Sequence, residues 1–95
     1  MRPPGNIVGP QISRLREAQG LSQAALAAKC QRLGWDISRD ILARIEGQIR
    51  CVSDAELVFL ARSLAVPIDG LLPKEALDAV VESIRKARRM EGSKK

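Results

Sequence analysis

Apolar residues recur at steps of three and four along most of the chain, the spacing that lines one face of an α-helix. Pro10 and Gly20 bracket the first such segment. Proline is tolerated in the first turn of a helix, and glycine commonly ends one. The pattern therefore predicts a first helix over residues 10–19.

Serine residues precede the next three segments, and a serine hydroxyl can cap the free N–H groups of a helix start. Ser22 begins a second helix that ends at Gly34, and Ser38 begins a short third helix that ends near Gly47. Ser53 begins a fourth, because a glutamate follows three residues later and completes the sequence of a capping box.

A short helical turn lies between two prolines after the fourth helix, and an amphipathic helix is predicted over residues 74–90. Two tracts, around residues 21–33 and 76–87, are rich in strong helix formers, so the fold class predicted is all-α. We divide the chain into a flexible N-terminal arm at residues 1–8, which is rich in proline and glycine, a helical domain at residues 9–73, and an amphipathic helix with a basic tail at residues 74–95.

The formal net charge of +5 is unevenly distributed. Residues 1–52 carry eight Lys and Arg against four Asp and Glu, residues 53–84 carry two against six, and residues 85–95 carry six against one. This distribution indicates one cationic face, and such faces attract nucleic-acid phosphates or anionic lipid headgroups. Charge alone leaves both partners open.

Composition argues against several classes of protein. The chain has no His, no Tyr and two Cys, which predicts no metal site, no disulfide framework and no catalytic set. No apolar run approaches the ~20 residues that span a bilayer, and the N-terminus lacks the apolar run of a secretory signal. We therefore expect a cytoplasmic protein that is not an enzyme, uses no cofactor and has no membrane partner.

Short motifs follow one another in a specific order over residues 9–72. They are Leu15-Arg16, Gly20-Leu21-Ser22-Gln23, Leu26-Ala27, Ser38-Arg39, Leu42, Ile45-Glu46, Leu57, Leu60-Ala61, Leu64-Ala65-Val66-Pro67-Ile68-Asp69 and Leu71-Leu72. Together they resemble the Cro and phage-repressor (XRE-like) type of helix-turn-helix. The resemblance implies a five-helix lambda-repressor-like bundle, here with an additional C-terminal amphipathic helix. It also implies binding of double-stranded DNA, commonly as a homodimer, and regulation of transcription.

By this resemblance the third helix enters the major groove. Its apolar positions face the core, which leaves Arg39, Asp40 and Arg44 facing outward, with Ile41 at the border. An arginine can donate two hydrogen bonds to guanine, worth ~1–3 kcal/mol of discrimination. Asp40 can accept from cytosine, orient a neighbouring arginine or favour the helix N-terminus, and Ile41 can touch a thymine methyl group. The alternative for both arginines is a solvated surface charge.

Five further polar residues are candidates for contacts with the DNA backbone. Ser22, Gln23 and Ser38 lie at helix starts, where N–H groups favour anions, although each serine can equally be a plain cap. Gln48 and Arg50 lie in the loop that follows the DNA backbone in similar proteins, where Arg50 is a candidate phosphate clamp or a free surface arginine.

Arg16 and Glu46 match a pair that this family uses as a buried ion pair between the first helix and the end of the third. The resemblance gives them a structural role, and two exposed charges of little energetic weight are the alternative.

The chain departs from the compact family pattern between the second and third helices. Ala27 and Leu42 lie fifteen positions apart, whereas the compact form has ten. We interpret the extra residues within 31–37 as one more turn on the second helix and a longer corner around Trp35. Their effect on DNA docking stays open.

Two questions about partners also stay open. The C-terminal helix can pack on its own domain, pair with a second subunit or lie on a membrane, although Glu75, Asp78 and Glu82 would be repelled by anionic lipid. The alternative function is an antitoxin-like or protein-interaction module that uses the same fold with little specific DNA binding.

Overall fold

The computed structural model describes residues 4–93, apart from the side chains of residues 74, 76 and 90–93. Every regular element within this part of the chain is helical, which confirms the predicted fold class. The elements are α1 (Gly9–Ala18), α2 (Gln23–Leu33), α3 (Arg39–Glu46), α4 (Asp54–Ser63), a 3₁₀ turn (Ile68–Leu71) and α5 (Lys74–Ser93).

Side-chain caps fix the starts of three helices, as the serine pattern predicts. The hydroxyl oxygens of Ser22 and Ser38 each accept a hydrogen bond from the backbone N–H three residues later, at 3.0 and 3.1 Å. Ser53 forms a complete capping box with Glu56. Gly34 ends α2 in the left-handed conformation, with a φ of 112° that glycine adopts without strain.

One hydrophobic core joins the first four helices and the 3₁₀ turn. Its fully buried large side chains come from every one of these elements: Ile12, Leu26, Leu42, Ile45, Leu60, Leu64 and Leu71. The fifth helix of the bundle is thus a single 3₁₀ turn. It contributes Leu71 to the core, and this contact closes the bundle beside α4.

The long corner between α2 and α3 is held by buried contacts. Ile37 is 1% exposed, and its carbonyl accepts a 2.7 Å hydrogen bond from the Gln31 side chain. The Trp35 ring packs against Phe59 of α4, with ring centroids 5.9 Å apart. The extra residues therefore extend α2 to Leu33 and fix the corner on the core instead of leaving a free loop.

Within the predicted N-terminal arm, Asn6 is hydrogen-bonded on both sides. Asn6 Oδ1 accepts hydrogen bonds from the backbone N–H groups of Val8 and Gly9. Its Nδ2 donates to the carbonyls of Ile45 and Arg50, at 2.9 and 2.8 Å. The first two bonds are local, and the last two attach Asn6 to Ile45 in α3 and to Arg50 in the following loop, whereas residues 1–3 lie outside the described part of the chain.

Helix α5 extends beyond the predicted end at residue 90. Each of its described side chains is exposed, including several large apolar ones. Among the described residues no helix is both long and apolar enough to cross a membrane. The predicted basic tail includes Lys94 and Lys95, which lie outside the described residues.

Candidate nucleic-acid interface

Helix α3 has one fully buried face and one charged face. Leu42 and Ile45 are 0% exposed, and this burial fixes the orientation of the helix on the core. Arg39, Asp40 and Arg44 are exposed on the other side, as the helical spacing predicts. An eight-residue helix that presents two arginines in this way can place both in a groove of duplex DNA.

The two arginines of α3 keep their charge uncompensated. Within the described part of the chain, no side chain forms an ion pair or hydrogen bond with Arg39 or Arg44, so Asp40 does not orient either one. Ile41 is half-buried and packs against the core. Arg39 and Arg44 are therefore the strongest free hydrogen-bond donors on this face.

A bidentate ion pair fixes the end of α3 against α1. Arg16 Nε lies 2.7 Å from Glu46 Oε2, and Arg16 Nη2 lies 3.0 Å from Glu46 Oε1. The side chains are only 12% and 6% exposed. The hydrogen bond to Glu46 raises the pKa of the Arg16 guanidinium, against the opposing effect of burial. The pair that the resemblance implies is thus present, and it acts inside the fold.

The same ion pair also holds the start of α2. Arg16 Nη1 donates to the Leu21 carbonyl at 2.8 Å, and Gln23 Nε2 donates to Glu46 Oε1 at 3.0 Å. The Gln23 amide, a candidate for a phosphate contact, is therefore engaged within the protein. The Gln23 side chain fixes the N-terminus of α2 relative to the end of α3.

The loop after α3 turns its polar residues toward the protein. Gln48 has a φ of 62°, and its side chain donates to the Asn6 carbonyl at 3.0 Å. Arg50 forms a bidentate pair with Glu56, both distances being 3.0 Å. Arg50 is therefore not a free surface arginine. Its charge is compensated by Glu56, and this pair attaches the loop to α4.

Ile49 in this loop is 74% exposed, the most exposed of the large apolar side chains described. Ile49 is absent from the DNA contacts predicted from the sequence, because that prediction followed charge and hydrogen-bonding capacity. The available signal was an isoleucine between two polar loop residues, beside a predicted recognition helix. Its exposure places an apolar group next to the charged face of α3.

The Arg50–Glu56 pair makes a testable contribution to stability. The hydrogen bond from Arg50 lowers the pKa of the Glu56 carboxyl, more than burial raises it. A lowered folded-state pKa gives stability that is present above the unfolded pKa and is lost as pH falls through the folded pKa. Since Arg50 is one third exposed, solvent screening limits the contribution to about 1 kcal/mol.

We therefore expect Glu56→Gln to lower the free energy of unfolding by up to about 1 kcal/mol at neutral pH. The amide oxygen keeps an acceptor for the capping box, while the charge and the second acceptor for Arg50 are lost. The difference from wild type should decline as pH falls below the ordinary glutamate pKa of about 4.3 and vanish once pH lies below the lowered folded-state pKa. Urea denaturation over this pH range measures it, with the exposed Asp36→Asn as control, and a difference independent of pH would contradict the assignment.

The helix-turn-helix of this chain is shared with known proteins. The profile of a family described as helix-turn-helix matches residues 12–71, which is well over half of the 95 residues. The chain belongs to the Cro and phage-repressor (XRE) type of helix-turn-helix family. Members of this type are DNA-binding transcription regulators, and the protein is one of them.

Two solved structures are similar to more than two thirds of the chain. One is the restriction-modification controller protein C.AhdI from Aeromonas hydrophila, with 29% identity, a TM-score of 0.61, and coverage of 68% of this chain and 87% of that one. The other is the DNA-binding domain of BldD, with 28% identity, a TM-score of 0.61, and coverage of 73% and 93%. No curated protein matches the sequence.

Proposed function

We propose that the protein recognises a specific sequence of double-stranded DNA with α3 and acts as a repressor-like regulator. The observation that carries this proposal is the pair of exposed, uncompensated arginines, Arg39 and Arg44, on a helix whose opposite face is fully buried. The Arg16–Glu46 pair adds rigidity, because it fixes the end of this helix on α1.

In the major groove, each arginine can donate two hydrogen bonds to guanine O6 and N7. The starts of α2 and α3 can direct backbone N–H groups at phosphates, beside Ser22 and Ser38, whose hydroxyls already cap their helices. Asp40 is left to accept from cytosine or to favour the start of α3. Base contacts would come from α3, and the register on the duplex would come from the helix starts.

Gln23, Gln48 and Arg50 take a supporting part in this proposal. Their side chains are hydrogen-bonded to Glu46, Asn6 and Glu56 respectively, and these bonds fix the position of each side chain within the protein. We assign them to fixing the segments on either side of α3. Ile49, which is exposed and uncharged, would contact sugar or base carbon atoms where the loop meets the duplex.

We also infer that the protein acts as a homodimer on a palindromic operator. One eight-residue helix offers few base contacts, and a twofold dimer doubles them at half-sites about one helical turn apart. One of the similar structures is a controller protein and the other is a DNA-binding domain, which supports an operator rather than an unspecific DNA target. Cytoplasmic localisation, expected from composition, stays a prediction.

The test is selection of bound duplexes from a random library at ~0.15 M salt, where backbone attraction is well screened. Wild type should enrich a motif that Arg39→Ala/Arg44→Ala does not enrich. The matched control is Arg32→Ala/Arg62→Ala, which removes the same charge from the surface where α2 meets α4 and should enrich the wild-type motif.

Either of two outcomes would contradict the proposal. The first is a library from which wild type enriches no motif. The second is a motif that survives the double substitution in α3. Both would favour the alternative, in which the same fold binds another protein.

A further inference from the structure

Helix α5 carries an apolar face that no other element covers in the described part of the chain. Leu77, Val80, Val81 and Ile84 are between 37% and 51% exposed. Their spacing of three, one and three residues places them on one side of the helix. Contiguous apolar surface of this kind usually marks an interaction site.

A groove continues this face toward the body of the protein. It has a volume of about 590 Å³, and its walls are Pro4 and Ile7 of the N-terminal segment and the α5 side that includes Ala79, Ser83 and Ala87. Small side chains on that side let a second helix approach closely. The docked N-terminal segment therefore supplies one wall of a surface that fits a helix.

The charges of α5 are separated along its length. The first half carries Glu75, Asp78 and Glu82, and the second half is basic from Arg85 to Arg89. Two such helices that run antiparallel bring each acidic half against a basic half. In a parallel pair the like charges would face one another, at a cost in free energy.

We propose that a second copy of this chain covers this face, with the two α5 helices antiparallel about a twofold axis between Val81 and Glu82. Asp78 then lies opposite Arg85 of the partner subunit, and the symmetry generates this ion pair twice. The inference rests on the homodimer of the proposed function and specifies its interface. It does not depend on which residues contact DNA.

A stable dimer needs more buried surface than the two α5 helices alone provide, so we include the groove in the interface. A helix of 20 residues is about 30 Å long, and a standard interface buries about 800 Å² on each partner. A single pair of helices supplies only part of that area. Pro4 and Ile7, which line the same groove, would therefore also contact the partner's helix.

Sedimentation equilibrium of the full chain tests the interface. We expect a wild-type dimer, and a dissociation constant at least about a hundredfold higher for Val81→Asp, because the variant buries two charges at the twofold axis. Val58→Asp is the matched control, since Val58 is similarly exposed (39%) but lies on α4, and it should leave the dimer intact. Far-UV circular dichroism confirms that both variants fold.

Charge reversal tests the orientation. Asp78→Arg and Arg85→Asp should each raise the dissociation constant about tenfold, because both symmetry-related pairs become repulsive. The double variant Asp78→Arg/Arg85→Asp should restore dimerisation, since the opposite charges then face each other again. If the helices were parallel, the single variants would dimerise as wild type does, and the double variant would have no lost dimerisation to restore.

The contradicting results are distinct from those for DNA recognition. A monomeric wild type would overturn both this interface and the homodimer. A dimer unaffected by Val81→Asp would overturn the interface alone, and single reversals without effect would overturn the antiparallel arrangement. Failure of α3 as the recognition helix would change none of these measurements.

Discussion

Replacement of Arg16 by methionine is expected to lower the free energy of unfolding by about 3–5 kcal/mol. The substitution leaves the Glu46 carboxylate, 6% exposed, buried without its cation. It also removes the donor to the Leu21 carbonyl. Because α1, the start of α2 and the end of α3 meet at this pair, the loss should spread through the whole domain.

Urea denaturation followed by circular dichroism measures this effect. Arg32→Met is the control, because Arg32 is exposed in the last turn of α2, and we expect a change within about 0.5 kcal/mol. The double variant Arg16→Met/Glu46→Leu should recover most of the loss, since no buried charge is stranded. An Arg16→Met variant as stable as Arg32→Met would contradict the structural role of the pair.

Gly9→Ala is expected to destabilise the protein by about 3 kcal/mol, the upper part of the usual range for overpacking. A Cβ atom at this position would overlap the Ile45 carbonyl oxygen and lie 2.8 Å from the Glu46 carbonyl oxygen. Both are backbone atoms at the end of α3, so no side-chain rotation can relieve the overlap. The start of α1 would have to move away from α3.

Gly70→Ala is the control for this substitution. Its added Cβ would lie 3.4 Å from the Cβ of Val66, an ordinary van der Waals contact, and we expect a change below about 1 kcal/mol. Thermal or urea unfolding of the two variants compares them directly. Equal stabilities would show that α1 and α3 are not packed backbone to backbone at Gly9.

The helices of this fold follow from local sequence. Serine caps, the glycine at the end of α2 and apolar spacing are short-range signals, and the structure places the corresponding helix ends within three residues of the predicted ones. The outward face of α3 follows in the same way, because helical geometry alone separates Arg39 and Arg44 from Leu42 and Ile45.

Long-range side-chain contacts could not be predicted from the same signals. Asn6 binds carbonyls 39 and 44 residues away, and nothing in a proline- and glycine-rich start indicates those acceptors. Arg50 and Glu56 are six residues apart across a helix start, a separation that no helical or strand periodicity favours. The engagement of Gln23 with Glu46 likewise depends on how α2 packs on α3.

Guanine N7 methylation interference on the selected duplex tests the central claim, that α3 contacts base edges in the major groove, most directly. An arginine bound to guanine needs N7 as an acceptor. Methylation of at least one guanine in each half-site should therefore block wild-type binding. That interference should disappear for the same guanine in Arg39→Ala or in Arg44→Ala, while other positions keep theirs. Interference patterns identical in wild type and in both variants would contradict the account.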